Sequence, residues 1–411
     1  MPQLRSAVRR LLGRSDDSGD TRPKRRYLED AREGIERVRA AGHDRPILLV
    51  MWMYDAENPF QALLTRHAEE AGIVTVGMDR LADLDDPVAL PALVALRSSE
   101  RLIVVLHLHW LARVLRGVND ETEGLERVTS FVAALDAFRM AGGETIWTVH
   151  NVLPHDTAYP ALDRALRKAV VARAELVHVL SAGTVEAAAS SYEIPAAKVL
   201  HLPHPAYLGV YADEVSGAEA RKHYGLDEDD VVYGFVGNIR PYKGVDDLLA
   251  AFESVNSGPA RVDGRRRRLL IAGMPSAHPE IAELLARMER NSDIVVDARR
   301  LPAGELSVPL RASDVVVLPH RASLNSGALL LALSLGRPVV AAASPGVTET
   351  VGEDAAITFE AGDRGALAQA LVVADRLMTP EAGEAALATA RQFDPDAISR
   401  AFAKALRDRL A

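Results

Sequence analysis

Short, unbroken apolar runs recur along this chain with longer amphipathic stretches between them, and this alternation restricts the fold more than any other feature. Pro46 to Met53, Gly72 to Met78, Arg101 to Trp110, Glu144 to His150 and Glu175 to Ser181 all read as strands. They are apolar throughout rather than at every second residue, so both faces of each strand are expected to be buried, as in a parallel sheet. Helical patterns fall between them, for example Glu121 to Ala141 and Tyr159 to Ala174. Strand and helix in turn predict a doubly wound α/β layer structure.

The pattern then breaks. Prolines and glycines without sustained periodicity place a linker near Pro203 to Tyr211. A second series follows: Val231 to Gly237, Arg267 to Gly273, Ser292 to Asp297, Ser313 to Pro319, Arg337 to Ala343 and Ala355 to Glu360. A chain of 411 residues is long enough for two such domains. The expected division is a basic N-terminal lead-in over 1–43, one Rossmann-like domain over 44–205 and a second over 206–385. Pro380 to Ala411 reads as helix, and its last part, 386–411, is expected to cross back to the first domain. Ligands of such sheets collect at the carboxyl ends of the strands, and the cleft between two domains is the expected site.

Composition removes several function classes. A net charge of -9 argues against a general nucleic-acid binder, which needs a basic face. Aromatic residues at 5% are too few for a sugar-binding module built on stacked rings. With no cysteine there are no disulfides, thiolate metal sites or cysteine nucleophiles, a usage that fits a reducing cytoplasm. No apolar stretch approaches the roughly 18–20 residues that span a bilayer. Arginines interrupt the N-terminal apolar residues, unlike a signal peptide. That basic segment reads either as a solvated tail or as a peripheral contact with an anionic membrane surface.

Two loops of the second series carry cations or free amides. In "GNIRPYKG", Gly237 and Asn238 end a strand, and Arg240 and Lys243 precede a helix that opens with Asp246 and Asp247. A planar guanidinium beside a compact ammonium suits a diphosphate; alternatively both cations pair with those aspartates. In "HRASLNSGALLLALSLGRPVV", Ser323, Asn325 and Ser326 are N-cap candidates for an apolar helix over Gly327 to Leu335, with no acidic residue in its first turn. Gly327 permits close approach to the backbone, so this helix end is a second anion candidate. In the first series, His107 and His109 share one side of a strand end beside Trp110. His150, Asn151, His155 and Asp156 follow another strand. Imidazoles there can hold a phosphate, orient a hydroxyl or move a proton. No spacing matches a zinc ligand set, and no Asp-x-Asp pair closes a strand.

These segments resemble the GT-B glycosyltransferases, especially family 4 and its bacterial polysaccharide relatives. The resemblance rests on "GNIRPYKGVDDLLAAF", "LLIAGMP", "GELSVPLRASDVVVLPH", "GALLLALSLGRPVVAAASPGVTETVG" and "AAITFEAGD", in order from Val231 to Asp363, with "HLHWL" and "TVHNVLPHD" upstream. It implies a donor site in which Lys243, with Arg240, binds the diphosphate of a nucleoside diphosphate sugar. Gly237 and Asn238 line that site, and Ser326 and Gly327 present amides to the phosphates. His150 would stand near the leaving phosphate, and Glu349 matches a recurrent family glutamate. The family commonly carries two glutamates eight positions apart in the donor loop; here those positions hold Ser323 and Leu331. Ribose would then be held by Asn325 or a backbone carbonyl. The family's glycine-rich loop after the first strand is replaced by "MWMYDAENPFQALL", which makes Tyr54, Asp55, Glu57 and Asn58, with His107 and His109, the acceptor-binding candidates.

The expectation is a metal-independent transfer, without cofactor, of a hexosyl group from a nucleoside diphosphate sugar to a sugar-containing or lipid-linked acceptor. Two alternatives stand beside it: a catalytically silent binding subunit of the same fold, and a sugar-nucleotide epimerase. No strand leads into a dinucleotide fingerprint, which argues against a nicotinamide dehydrogenase.

Overall fold

The computed structural model describes residues 26–78, 94–97, 101–154, 157–257 and 265–410. The chain forms two units that divide between Pro205 and Ala206, and the segment from Pro395 onward groups with the first.

The first unit holds a parallel sheet of β1 (Ile47–Trp52), β2 (Ile73–Met78), β3 (Ile103–Leu108), β4 (Glu144–Val149), β5 (Leu176–Val179) and β6 (Val199–His201), in the order β2-β1-β3-β4-β5-β6. Every residue of β1 and β3 is buried, as the apolar run of β1, and that of β3 apart from His107, require. β6 adds a strand to the five expected, because three partly exposed residues at a sheet edge carry no periodic signal. The lead-in is more than a tail: the helix Arg26–Ala40 buries Ala31, Ile35 and Val38, one stripe at helical spacing. Its Gly34 lies so close to β2 that a Cβ there would stand 2.3 Å from the Val74 side chain.

The second unit repeats the architecture with β7 (Val231–Val236), β8 (Arg267–Ala272), β9 (Ile294–Asp297), β10 (Val315–Leu318), β11 (Val339–Ala342) and β12 (Ala356–Phe359), all parallel, in the order β12-β11-β10-β7-β8-β9. Alternate residues of β7 serve different cores. Tyr233 and Phe235 pack with Phe252, Leu269 and Leu371, whereas Val236 packs with Leu329, Leu333 and Val347. In both sheets the strand order reverses once, between β1 and β3 and between β7 and β10. At such a point the two crossover connections leave in opposite directions and open a crevice beyond the carboxyl ends of the strands.

The expected single C-terminal helix is two, Pro380–Gln392 and Pro395–Leu410. Pro395 disfavours helical geometry in the residue before it, so one helix ends and another begins. The second unit accordingly runs to Asp394 rather than residue 385. Within the first unit, Arg407 of the last helix donates to the carbonyls of Arg45, Ala71 and Gly72, and Arg66 pairs with Asp396 at 2.6 Å. Among the described residues no helix is long and apolar enough to cross a membrane.

Candidate active site

In the second unit, the reversal between β7 and β10 brings both of the loops singled out above to one place. Ile239 to Gly244 leaves β7 and forms a short 3-10 turn, Pro241–Lys243, before the helix Val245–Ser257. Gly244 has φ +66, and a Cβ on it would stand 2.0 Å from the Pro319 carbonyl at the end of β10. Only glycine tolerates both the left-handed backbone and that approach.

The close approach sets Nζ of Lys243 3.2 Å from Nε2 of His320. The ammonium also lies 5.2 Å from the centre of the Tyr242 ring. Among the described residues no carboxylate pairs with it. Burial, reinforced by the charge of Arg240, lowers the Lys243 pKa to about 8. Asp246 and Asp247, the alternative partners, are taken by Arg321 and Arg364: Arg321 Nε donates to Asp247 Oδ2 at 2.7 Å and Arg364 binds both carboxylates. Arg321 also closes the loop, its backbone N–H meeting the Tyr242 carbonyl at 3.0 Å. Nothing local in the sequence marks His320, Arg321 and Arg364 as partners of residues about 75 to 120 positions away.

Further along, Ser326 caps the helix Gly327–Ser334, its side chain accepting from Leu329 N. The first-turn amides of Gly327 and Ala328 therefore have no intrahelical acceptor. Ser323 Oγ donates to the Asn325 carbonyl at 3.0 Å. Nδ2 of Asn325 is buried without a hydrogen-bond partner, so this side chain has a donor left to give. Leu331 is half-buried against the apolar cluster around Leu329 and Leu333. Gly237 has φ +148, and Asn238 beside it is exposed. Glu349 is exposed at the end of the short helix Pro345–Thr348.

In the first unit, the reversal between β1 and β3 is lined by the Tyr54 to Asn58 turn and by His109 to Arg113. This turn is largely self-contained. The Asn58 side chain accepts from Phe60 N at 3.1 Å, Asp55 Oδ1 accepts from Glu57 N at 3.1 Å, and Asp55 Oδ2 lies 3.6 Å from Arg113. Glu57 is exposed, and the Tyr54 hydroxyl pKa is raised by burial and by Asp55. The Asn58 side-chain oxygen is thus engaged in a local turn onto the Phe60 backbone rather than free to meet an acceptor.

His107 and His109 need a similar correction. Both are 0% exposed. His107 Nε2 meets Thr148 Oγ1 at 2.7 Å, Thr148 Oγ1 meets His178 Nδ1 at 3.0 Å, and His178 Nε2 meets the Leu202 carbonyl at 2.9 Å. His109 Nδ1 lies 3.0 Å from His150 Nε2. Of these rings only His150 reaches the rim, half-buried, stacked on Trp110 at 4.7 Å and 17° and edge-on to Phe60 at 5.0 Å. Trp110 adopts φ +34, a conformation costly outside glycine that is retained here beside the imidazole. Burial holds all these imidazoles neutral, with His178 and His204 lowered to about 4 and His107, His109 and His150 well below their usual value. His155 and Asp156 lie outside the described residues. His178 could have been suspected as the one polar residue inside an apolar strand; Phe402, stacked on His107 from the C-terminal helix at 5.5 Å, could not.

Comparison with known proteins agrees with this architecture. Residues 230–376 match the family model described as Glycosyl transferases group 1. A D-inositol 3-phosphate glycosyltransferase of Kineococcus radiotolerans is 28% identical over 268 residues, 63% of this chain and 58% of that one. A GDP-mannose:glycolipid 4-beta-D-mannosyltransferase of Xanthomonas campestris is 28% identical over 240 residues, 58% of this chain and 60% of that one. The chain thus spans less than two thirds of the length of either relative. Among solved structures, Anabaena Alr3699/HepE in complex with UDP superposes with a TM-score of 0.65 at 15% identity, covering 88% of this chain and 100% of that one. Sucrose-phosphate synthase of Thermosynechococcus elongatus gives 0.64 at 17%, covering 89% and 98%. At such identities the likeness establishes the fold, which is GT-B.

Proposed function

We propose that this chain, a GT-B protein carrying a glycosyl transferases group 1 domain over residues 230–376, transfers a sugar from a nucleoside diphosphate sugar to an acceptor hydroxyl. One observation carries the reading. At the β7–β10 reversal an ammonium, Lys243, is held by an imidazole and opposed by a guanidinium, with no carboxylate among the described residues to neutralise it. A cation kept in that state is poised for an anion.

In the reaction the bond between the anomeric carbon and the β-phosphate oxygen breaks, and the nucleoside diphosphate leaves with the electron pair. The acceptor oxygen bonds to that carbon, and its proton passes to a departing phosphate oxygen or to a carboxylate of Asp55 or Glu57. Charge grows on the β-phosphate as the bond breaks, so Arg240, Lys243 and the amides of Gly327 and Ala328 stabilise the transition state more than the bound donor. Side-chain cations thereby take the place a metal ion would fill, and EDTA is expected to leave turnover unchanged. Asn325 is assigned to the ribose and Asp55, Glu57 and Tyr54 to the acceptor. HepE with UDP and a GDP-mannose-named relative support a nucleotide donor in general terms.

Nucleotide release from a panel of UDP-, GDP- and ADP-sugars, with and without sugar or lipid-linked acceptors, tests the reading. Acceptor-dependent release of nucleoside diphosphate is expected; release without acceptor, with a changed sugar, would indicate an epimerase. One feature favours a second reading, a nucleotide-binding subunit without turnover: Leu331 offers no acceptor where the family places a glutamate. Tight nucleotide binding by calorimetry without release for any donor would favour it.

A further inference from the structure

The hydrogen bonds of the histidine cluster determine where its protons are. The Leu202 carbonyl can only accept, so His178 carries its proton on Nε2 and its Nδ1 is bare. That bare nitrogen accepts a hydrogen bond from the Thr148 hydroxyl, and the Thr148 oxygen in turn accepts one from the N–H of His107 Nε2. Nδ1 of His107 is left as a buried lone pair without a partner.

His109 and His150 share one hydrogen bond, at 3.0 Å, and two arrangements are open to it. Were His150 Nε2 the donor, His109 would carry its own proton on Nε2, which is buried with no partner. An orphaned buried N–H forfeits its hydration without recompense and is rarer in folded proteins than an under-used acceptor. With His109 Nδ1 as donor, only a lone pair is buried there.

Neither ring escapes the choice by taking a second proton. Burial is the main obstacle to an imidazolium on either ring, and the neighbouring imidazoles, His204 and His178 for His150 and His107, His150 and His178 for His109, oppose it further. The Trp110 stack and the Phe60 edge hold the His150 ring in place.

We infer that His109 is a positioning residue: by donating Nδ1–H to His150 Nε2 it holds His150 in the tautomer that presents Nδ1–H, a hydrogen-bond donor, at the carboxyl end of β4. His150 then acts on substrate by giving a hydrogen bond to an oxygen rather than by removing a proton. The base role, if the reaction needs one, falls to another group. The catalytic consequence rests on the glycosyltransferase reading; the tautomer does not.

Two measurements on the full chain test this, each with His109→Phe and His109→Asn. In H109N the new amide nitrogen stands where the imidazole Nδ1 was, so the donor is kept; H109F removes it. Long-range 1H–15N spectra of 15N-histidine-labelled protein, assigned with His150→Ala, read the tautomer directly. Wild type and H109N are expected to show His150 protonated on Nδ1, and H109F to lose that preference. Turnover is expected to fall about 30-fold or more in H109F with donor KM within about threefold, and to return to within about fivefold in H109N. If H109F does not fold, His109→Gln, whose amide points toward the Nε2 position, takes its place as the variant without the donor. A wild-type His150 protonated on Nε2 would overturn the inference, as would an H109F protein with unchanged tautomer and turnover. A chain inactive with every donor yet showing the expected tautomer would sink the glycosyltransferase reading and leave this one standing.

Discussion

Lys243 and His320, 77 positions apart, are joined at 3.2 Å across the β7–β10 reversal, so the ammonium of the loop after β7 is held by an imidazole and not by a carboxylate. The contact exists because Gly244 lets the loop press against Pro319, the residue before His320. Replacing Lys243 by alanine is expected to lower turnover by about 10²–10³-fold, roughly 2.7–4 kcal/mol, if its charge meets the leaving phosphate. Steady-state nucleotide release checks this; a loss under about threefold would remove Lys243 from the chemistry.

On the proposed reading, Lys243 also makes nucleotide affinity depend on pH. With its pKa lowered to about 8 by burial and by Arg240, the free protein carries the charge below that pH and loses it above. Nucleoside diphosphate binding is therefore expected to weaken as pH rises from about 7.5 to 9, and the dependence to vanish in Lys243→Met. Isothermal titration across that range gives the slope.

Asp247, 7% exposed at its side chain, is paired with both Arg321 and Arg364. Loss of either arginine leaves the other, so each alanine variant should cost about 1 kcal/mol of stability or less. Loss of both leaves a buried carboxylate unpaired, which typically costs about 3–5 kcal/mol. Chemical denaturation of the two single variants and the double is expected to show this excess over additivity.

The histidine cluster predicts acid sensitivity. In the unfolded chain these imidazoles take up protons near pH 6.5, whereas His178 and His204 in the native unit do so only near 4. Between those values the unfolded state binds more protons, so stability is retained above about pH 6.5 and falls as pH drops toward 4. Thermal melts at pH 7, 6, 5 and 4 should show a steepening loss. Replacing His178 by asparagine should flatten the curve while lowering stability at pH 7, because the Leu202 contact is weakened.

The strands, the two-domain α/β organisation and the cation-bearing loop follow from residues a few positions apart. An unbroken apolar run such as Ile47–Trp52 or Val231–Val236 can be satisfied only by burial on both faces, and glycines with cations after a strand mark a candidate loop for an anion. Partners are another matter, because periodicity reports that a residue is buried and not what it touches. Strand order, which no local pattern encodes, put β7 beside β10 and so gave Lys243 its His320 and Asp247 its Arg321. The same cause turned His107 and His109 from expected acceptor contacts into interior members of a cluster drawn from β3, β4, β5 and the last helix. Local chemistry named the groups; the pairing of strands in two sheets, each reversing its order once, decided which of them face each other.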